Sequence, residues 1–249
     1  MKKFDPKLVL EFYANAWPTQ KGAIDKRSFV RGTWVPYDRD AINQFLGDPL
    51  ELAEGATCEY GERRNQCTGF DDQQVGQLLC SPGHDFVYNH NGRRLRIMRT
   101  SMTTLTQIWM TFLLSNILPS DHNSDLTIPK CRLVYSLLSQ ISVDVAGLIS
   151  DAIRQFVTAE PTRFPADPTK ANRALGFPAL ITGLCQFFQV SPTPSKIIRP
   201  PINRAFIDKF CTIGQPLPPV PAPAPPFPHP QCPSLDSLAA HMQRVEMHM

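Results

Sequence analysis

The sequence predicts a mainly α fold: one helical domain over residues 5–213, with one or two small β-hairpins in its N-terminal half and a disordered, proline-rich tail over 214–249. Three observations carry that prediction. Apolar residues recur at helical spacing in several long windows, most completely at Val145, Leu148, Ile149, Ala152, Ile153, Phe156 and Val157. Two short β-rich runs bracket glycine-containing turns. Nine prolines crowd residues 216–230, where the chain cannot supply the backbone donors of a helix or sheet and favours polyproline II.

Taken in order, Leu8, Val9, Phe12, Tyr13 and Ala16 lie on one helical face within Lys7 to Trp17, and Pro18 closes that helix. Ser28-Phe29-Val30 and Thr33-Trp34-Val35 flank Arg31-Gly32 and predict a hairpin. Asp38 is a predicted N-cap for a stripe of Ala41, Ile42, Phe45 and Leu46, with Gly47 at the left-handed stop and Pro49 beyond. Residues 51–70 are polar and mixed, and receive no assignment. Asp71-Asp72 begins a helix carrying Val75, Leu78 and Leu79, ended by Ser81-Pro82-Gly83. Phe86-Val87-Tyr88 and Leu95-Arg96-Ile97 surround Asn89-His90-Asn91-Gly92, a second hairpin signal.

Met102, Leu105, Ile108, Trp109, Phe112, Leu113 and Ile117 fit a helix apolar over most of its surface, which is expected at the centre of the fold. Cys131, Val134, Tyr135 and Leu138 form a helix entered through Pro129. Phe177, Leu180, Ile181, Leu184 and Phe188 form another, with Pro178 in its first turn. Ile202 to Phe210 closes the domain, and Leu235 to Met247 is a further short amphipathic candidate.

Composition narrows function by exclusion. A net charge of +3 with pI near 8.5 is too weak to imply nucleic acid by itself. No apolar stretch follows the N-terminal lysines, so no secretory signal is read there. The apolar run Met102–Leu118 is broken by polar residues and is not a membrane span. Seven cysteines at irregular spacing point to reduced thiols in an intracellular compartment, nucleus and cytoplasm both open.

The search for chemistry gives capping, core and loop readings more often than sites. Asp71, Asp72, Asp121, Asp125, Asp144 and Asp151 are the carboxylates a two-metal strand-transfer site would need, but several stand where helices begin. Cys58, Cys67, Cys80 and His84 are wrongly spaced for a zinc knuckle. The block His122-Asn123-Ser124-Asp125 reads as a turn. No catalytic residue, metal ligand or cofactor is assigned, and no small-molecule substrate is evident. The best nucleic-acid candidates are Arg93, Arg94, Arg96 and Arg99, four cations within seven residues after a hairpin turn, with Tyr88 beside them. The alternative is an exposed strand protected from edge pairing by its charges. Pro218, Pro219 and Pro221 form a Pro-x-x-Pro spacing suited to an aromatic groove on a protein partner.

Several blocks, in one order, resemble a known family: Phe12 to Ala16, Val30-Arg31-Gly32, Asp38 to Gly47, Met102 to Leu105, Trp109 through Phe112 to Pro119, His122 to Leu126, Val143 to Ala146, Ala174 to Thr182 and Ile198 to Ile202. Over roughly residues 5–211 the chain resembles the "putative plant transposon protein domain" of plant retroelement-derived reading frames, and more loosely the layout of the plant mobile domain. The resemblance implies an origin in a plant mobile element and no enzymatic mechanism. The expected function is a non-catalytic binding module for nucleic acid or a protein partner. The alternatives are a metal-dependent nuclease or transposase and a Gag-like assembly module.

Overall fold

The computed structural model describes residues 3–16, 25–47, 50–53, 55–66, 68–120, 122–158, 176–197 and 204–211. Trp17 and Pro18, Pro49, Cys67, Asp121, the boundary near 213, the proline-rich segment with Pro218, Pro219 and Pro221, and the segment Leu235 to Met247 all lie outside the described residues.

The chain begins with strand β1 (Lys3–Phe4) and helix α1 (Pro6–Asn15). Asp5 caps α1 by accepting the amides of Lys7 and Leu8, and Pro6 takes the first turn, where a missing N–H costs nothing. Leu8, Val9 and Phe12 face the core. β2 (Arg27–Val30) and β3 (Thr33–Pro36) pair antiparallel around Arg31-Gly32, so Ser28, Val30 and Val35 point inward. Both turn residues have positive φ, +48° and +84°, as a two-residue hairpin turn requires. α2 (Arg39–Leu46) starts at the Asp38 cap and stops at Gly47, whose φ is +75°. α1, the hairpin and α2 lie where the sequence places them, but the buried stripe expected on α2 is corrected: Leu46 is exposed and Asn43 is buried in its stead.

Residues 51–70, unassigned from the sequence, contain a helix, α3 (Glu59–Asn65). It is a surface helix braced by a Glu59–Arg63 pair one turn apart, and it buries Tyr60 alone. α4 (Asp72–Leu79) follows its Asp71 cap. β4 (Val87–Tyr88) and β5 (Arg94–Met98) form the second hairpin, and β6 (Asp125–Thr127) extends it to an antiparallel three-stranded sheet. A single 3₁₀ turn, Arg99–Ser101, leads into α5 (Thr104–Asn116). Next come α6 (Ile128–Leu138), α7 (Val145–Thr158), α8 (Pro178–Phe187), β7 (Lys196–Ile197) and α9 (Arg204–Phe210). β7 pairs with β1 and so ties a late segment to the start of the chain.

The helices and sheets assemble into two neighbourhoods around one continuous core. In the first, α1 lies against the β2–β3 hairpin, α7 and α8, while α2 packs on α7 and α8. In the second, α6 is central, touching α4, α5, β5 and β6. A run of aromatic contacts, Tyr60 on Phe70 and Phe70 on Tyr135, fixes α3 and the following loop against α6.

The expected central helix is α5, and here the structure corrects the sequence. It buries Met110, Leu113 and Leu114 but leaves Leu105 and Phe112 exposed. Thr106 and Gln107 take the inward positions instead. Thr103 and Thr106 hydroxyls bond each other, and the Gln107 amide donates to the Met102 carbonyl, so both polar groups are satisfied where they are buried.

Candidate nucleic-acid interface

The β4–β5 hairpin is built locally. Asn89 Oδ1 accepts the amides of Asn91 and Arg93 at 3.0 and 2.8 Å, and Gly92 supplies a φ of +71°. That side-chain turn holds the loop without tertiary help. The strands pair Tyr88 with Arg94 and Val87 with Arg96, with one irregularity between them. Fully buried Ile97 anchors β5, opposite buried Leu126 of β6. Strand alternation therefore turns Arg94 and Arg96 to the side away from Ile97.

The structure separates the four arginines expected to act together. Arg93 is exposed and its side chain has no partner among the described residues. Arg96 is half exposed and reaches Asp125 Oδ2 at 3.5 Å. Arg94 is half-buried, its guanidinium 5.8 Å from the Phe86 ring centre and 5.9 Å from that of Tyr88. Its Nε is shut off from solvent without an acceptor. Arg99 lies on the 3₁₀ turn and points elsewhere: it donates to the Phe210 carbonyl at 3.0 Å and approaches Thr111 Oγ1, fastening α9 to α5. Tyr88 keeps 43% of its surface exposed, and its hydroxyl donates to Asp85 at 2.6 Å. Burial, together with that hydrogen bond, pushes the Tyr88 phenol up.

Two further side chains, His122 and Lys130, join this surface, and neither was a nucleic-acid candidate from sequence. Asp125, only 4% exposed, is the hub: besides Arg96 it bonds His122 Nε2 at 3.0 Å. Lys130, in the first turn of α6, is held below the usual lysine range by burial, against the pull of Asp125. The signal was the short strand β6, whose pairing with β5 carries the 122–130 segment to the arginines. His122 and Ser124 do not form a nucleophile relay. Both Asp125 and Ser124 meet the same ring nitrogen, Nε2, whereas a relay needs them on opposite nitrogens.

The other weighed groups have structural partners. Asp71 caps α4, and Asp72 forms a two-pronged pair with Arg132 at 2.9 and 3.0 Å. Asp144 caps the amide of Gly147 and binds Arg39 at 2.9 Å; Asp151 meets Lys26 at 3.2 Å. Cys58 accepts the Asp144 amide. Burial pushes the thiols of Cys80, Cys131 and Cys185 up to about 12, which keeps them protonated and unreactive. Among the described residues, no three His, Cys, Asp or Glu side chains come together to hold a metal ion. No helix there is long and apolar enough to cross a membrane.

A second exposed aromatic feature escaped the sequence reading. On the outer side of β2–β3, Phe29 and Trp34 pair at 5.1 Å, and Arg27 lies 5.1 Å over the Trp34 ring. The alternation that buries Ser28 and Val30 was the available signal.

Compared with known protein families, the chain matches the family described as a putative plant retrotransposon-related domain over residues 1–191. No curated protein and no solved structure matches it.

Proposed function

The chain belongs to the plant retrotransposon-related domain family, and we propose that it serves there as a non-catalytic module that binds nucleic acid through the β4–β5 hairpin. One observation carries the reading: Arg93 and Arg96 stand out from the sheet beside an exposed Tyr88, with Lys130 and His122 on the neighbouring elements. Arginines on a ribbon can neutralise phosphates while a tyrosine ring stacks on a base. Arg99 is no longer part of the binding set, because it holds α9. Among the described residues, the aspartates that strand-transfer chemistry would need cap helices or pair with cationic side chains, which weighs against the enzyme alternative. The test is a fluorescence-polarisation titration of the chain with labelled DNA and RNA at two salt concentrations. Salt-sensitive binding that weakens about tenfold or more in Arg93→Ala/Arg96→Ala supports the reading; no binding at low salt overturns it.

A second reading, a Gag-like assembly module, draws on the exposed side of α5. Leu105 and Phe112 lie one face apart from the core there, with Trp109 edge-on to Phe112 at 5.7 Å. An oligomer in sedimentation analysis that dissociates in Phe112→Glu would favour it.

A further inference from the structure

Beside the arginine hairpin lies an open hollow of about 230 Å³, lined by Gln73, Gly76, Gln77, His84, Asp85 and Arg94. We propose that it takes one unpaired base, guanine before the other three, from the strand whose phosphates lie along Arg93 and Arg96. The inference rests on the nucleic-acid reading above and names what that surface recognises.

The lining decides the ligand class. Asp85 faces the hollow with a carboxylate, which disfavours a phosphate or any other anion. Its Oδ1 accepts the Phe86 amide at 2.7 Å and its Oδ2 the Tyr88 hydroxyl at 2.6 Å, and each oxygen retains a lone pair. Arg94 brings the opposite property, a guanidinium that lines the hollow and carries only N–H donors. A neutral ligand with donors beside acceptors fits this pair. Guanine presents N1–H and an exocyclic amine to a carboxylate, and O6 and N7 to a guanidinium. Gln73 and Gln77 stand one turn apart on α4, exposed, and their amides can serve either role.

The position fits as well. Tyr88 and Arg94 are cross-strand partners, so the hollow opens next to the exposed ring on which a neighbouring base can stack. Gly76 leaves the α4 wall without a side chain: a methyl there would meet Phe86 Cε2 at 3.0 Å and Asp85 Oδ1 at 3.2 Å, pressing on the acceptor itself. A duplex hides the guanine edge that Asp85 would read, so the ligand is a single strand.

The experiment titrates the full chain with labelled pyrimidine tracts of about twelve nucleotides, thymidine DNA and uridine RNA, each with and without one central guanine. The expected result is a roughly tenfold tightening from the single guanine. That increment should vanish in Asp85→Asn and in Gln73→Ala/Gln77→Ala while affinity for the plain tract is kept. The glutamine variant leaves the Asp85–Tyr88 bond untouched, so it separates the hollow from the hairpin's integrity. If the plain tracts bind and the guanine adds nothing, or if the increment survives in either variant, this inference falls and the nucleic-acid reading stands. If neither tract binds, the nucleic-acid reading itself has failed, and the inference with it.

Discussion

The β2–β3 and β4–β5 hairpins look alike in sequence and make opposite contacts. Each carries arginine and aromatic residues around a turn with glycine. At the β2–β3 turn, Arg31 is drawn inward: its guanidinium binds Asp5 at 2.9 Å and the Ser191 carbonyl at 2.5 Å, and its amide donates to Glu11. Asp5 in turn accepts the Thr193 amide at 2.8 Å and caps α1. At the β4–β5 turn the loop is held by Asn89, and the Arg93 side chain reaches no partner among the described residues. The difference teaches that an arginine near a turn becomes structural when several acceptors converge on its guanidinium, as Asp5 and the Ser191 carbonyl do on Arg31. Arg96 has a single, longer ion pair, with Asp125 at 3.5 Å, and keeps about half of its side chain exposed.

The largest effect belongs to the inward hairpin. Asp5→Ala removes the α1 cap and leaves Arg31 and the Thr193 amide without their acceptor, and should cost about 3 kcal/mol. Urea unfolding checks this, as a lowered midpoint with an unchanged slope. A loss under about 1 kcal/mol would erase the contrast between the hairpins.

The same clamp gives a pH dependence. Burial pushes the Asp5 carboxyl up, but hydrogen bonds from Thr193, Leu8 and Arg31 outweigh it and hold the group below its usual range. A carboxyl with a folded value below its unfolded value, about 3.9, contributes its stability fully above that unfolded value. The contribution fades as pH falls below about 3.9 towards the folded value. Stability measured between about pH 2 and 6 should therefore drop less steeply on the acid side in Asp5→Asn than in the parent chain. An identical acid limb in both would show that Asp5 is not the titrating group.

Much of this contrast was legible in the sequence, and part was not. The Arg31-Gly32 and Asn-Gly turns, the Asp38 cap and the Gly47 stop were readable because each depends on local backbone geometry. The fate of each arginine was not, because it depends on partners distant in sequence: Asp5 and Ser191 for Arg31, Asp125 for Arg96 and Phe210 for Arg99. α3 was missed because it has only Tyr60 to bury; its Glu59–Arg63 spacing was the one available sign. α5 was placed too deeply because an all-round apolar pattern does not say which side meets the core. The hollow was illegible for a similar reason: Gln73 and Gln77 look like ordinary solvated positions until the β4–β5 hairpin and the residues leading into it bring Arg94 and Asp85 beside them. The expectation for Pro218, Pro219 and Pro221 falls outside the described residues.

Smaller changes sharpen the comparison at the outward hairpin. Gly92→Ala forces a side chain into a φ of +71° and should cost about 1 kcal/mol. Because the β4–β5 turn holds itself, the destabilisation should be local. Amide exchange should quicken at Asn89 and Arg93, whose backbone groups bond each other, and stay unchanged in α1. Arg93→Ala/Arg96→Ala should change stability least, by under about 0.5 kcal/mol, since these are surface positions. A larger drop would mean that the arginines hold the sheet together rather than face a ligand.

The most direct test of the outward role is the salt dependence of nucleic-acid binding, compared across the two hairpins. The slope of log affinity against log salt should fall by about two in Arg93→Ala/Arg96→Ala, about one for each phosphate that an arginine no longer neutralises. It should be unchanged in Arg31→Ala under conditions where that variant remains folded. An unchanged slope in the Arg93/Arg96 variant, or an equal fall in the Arg31 variant, would contradict the account.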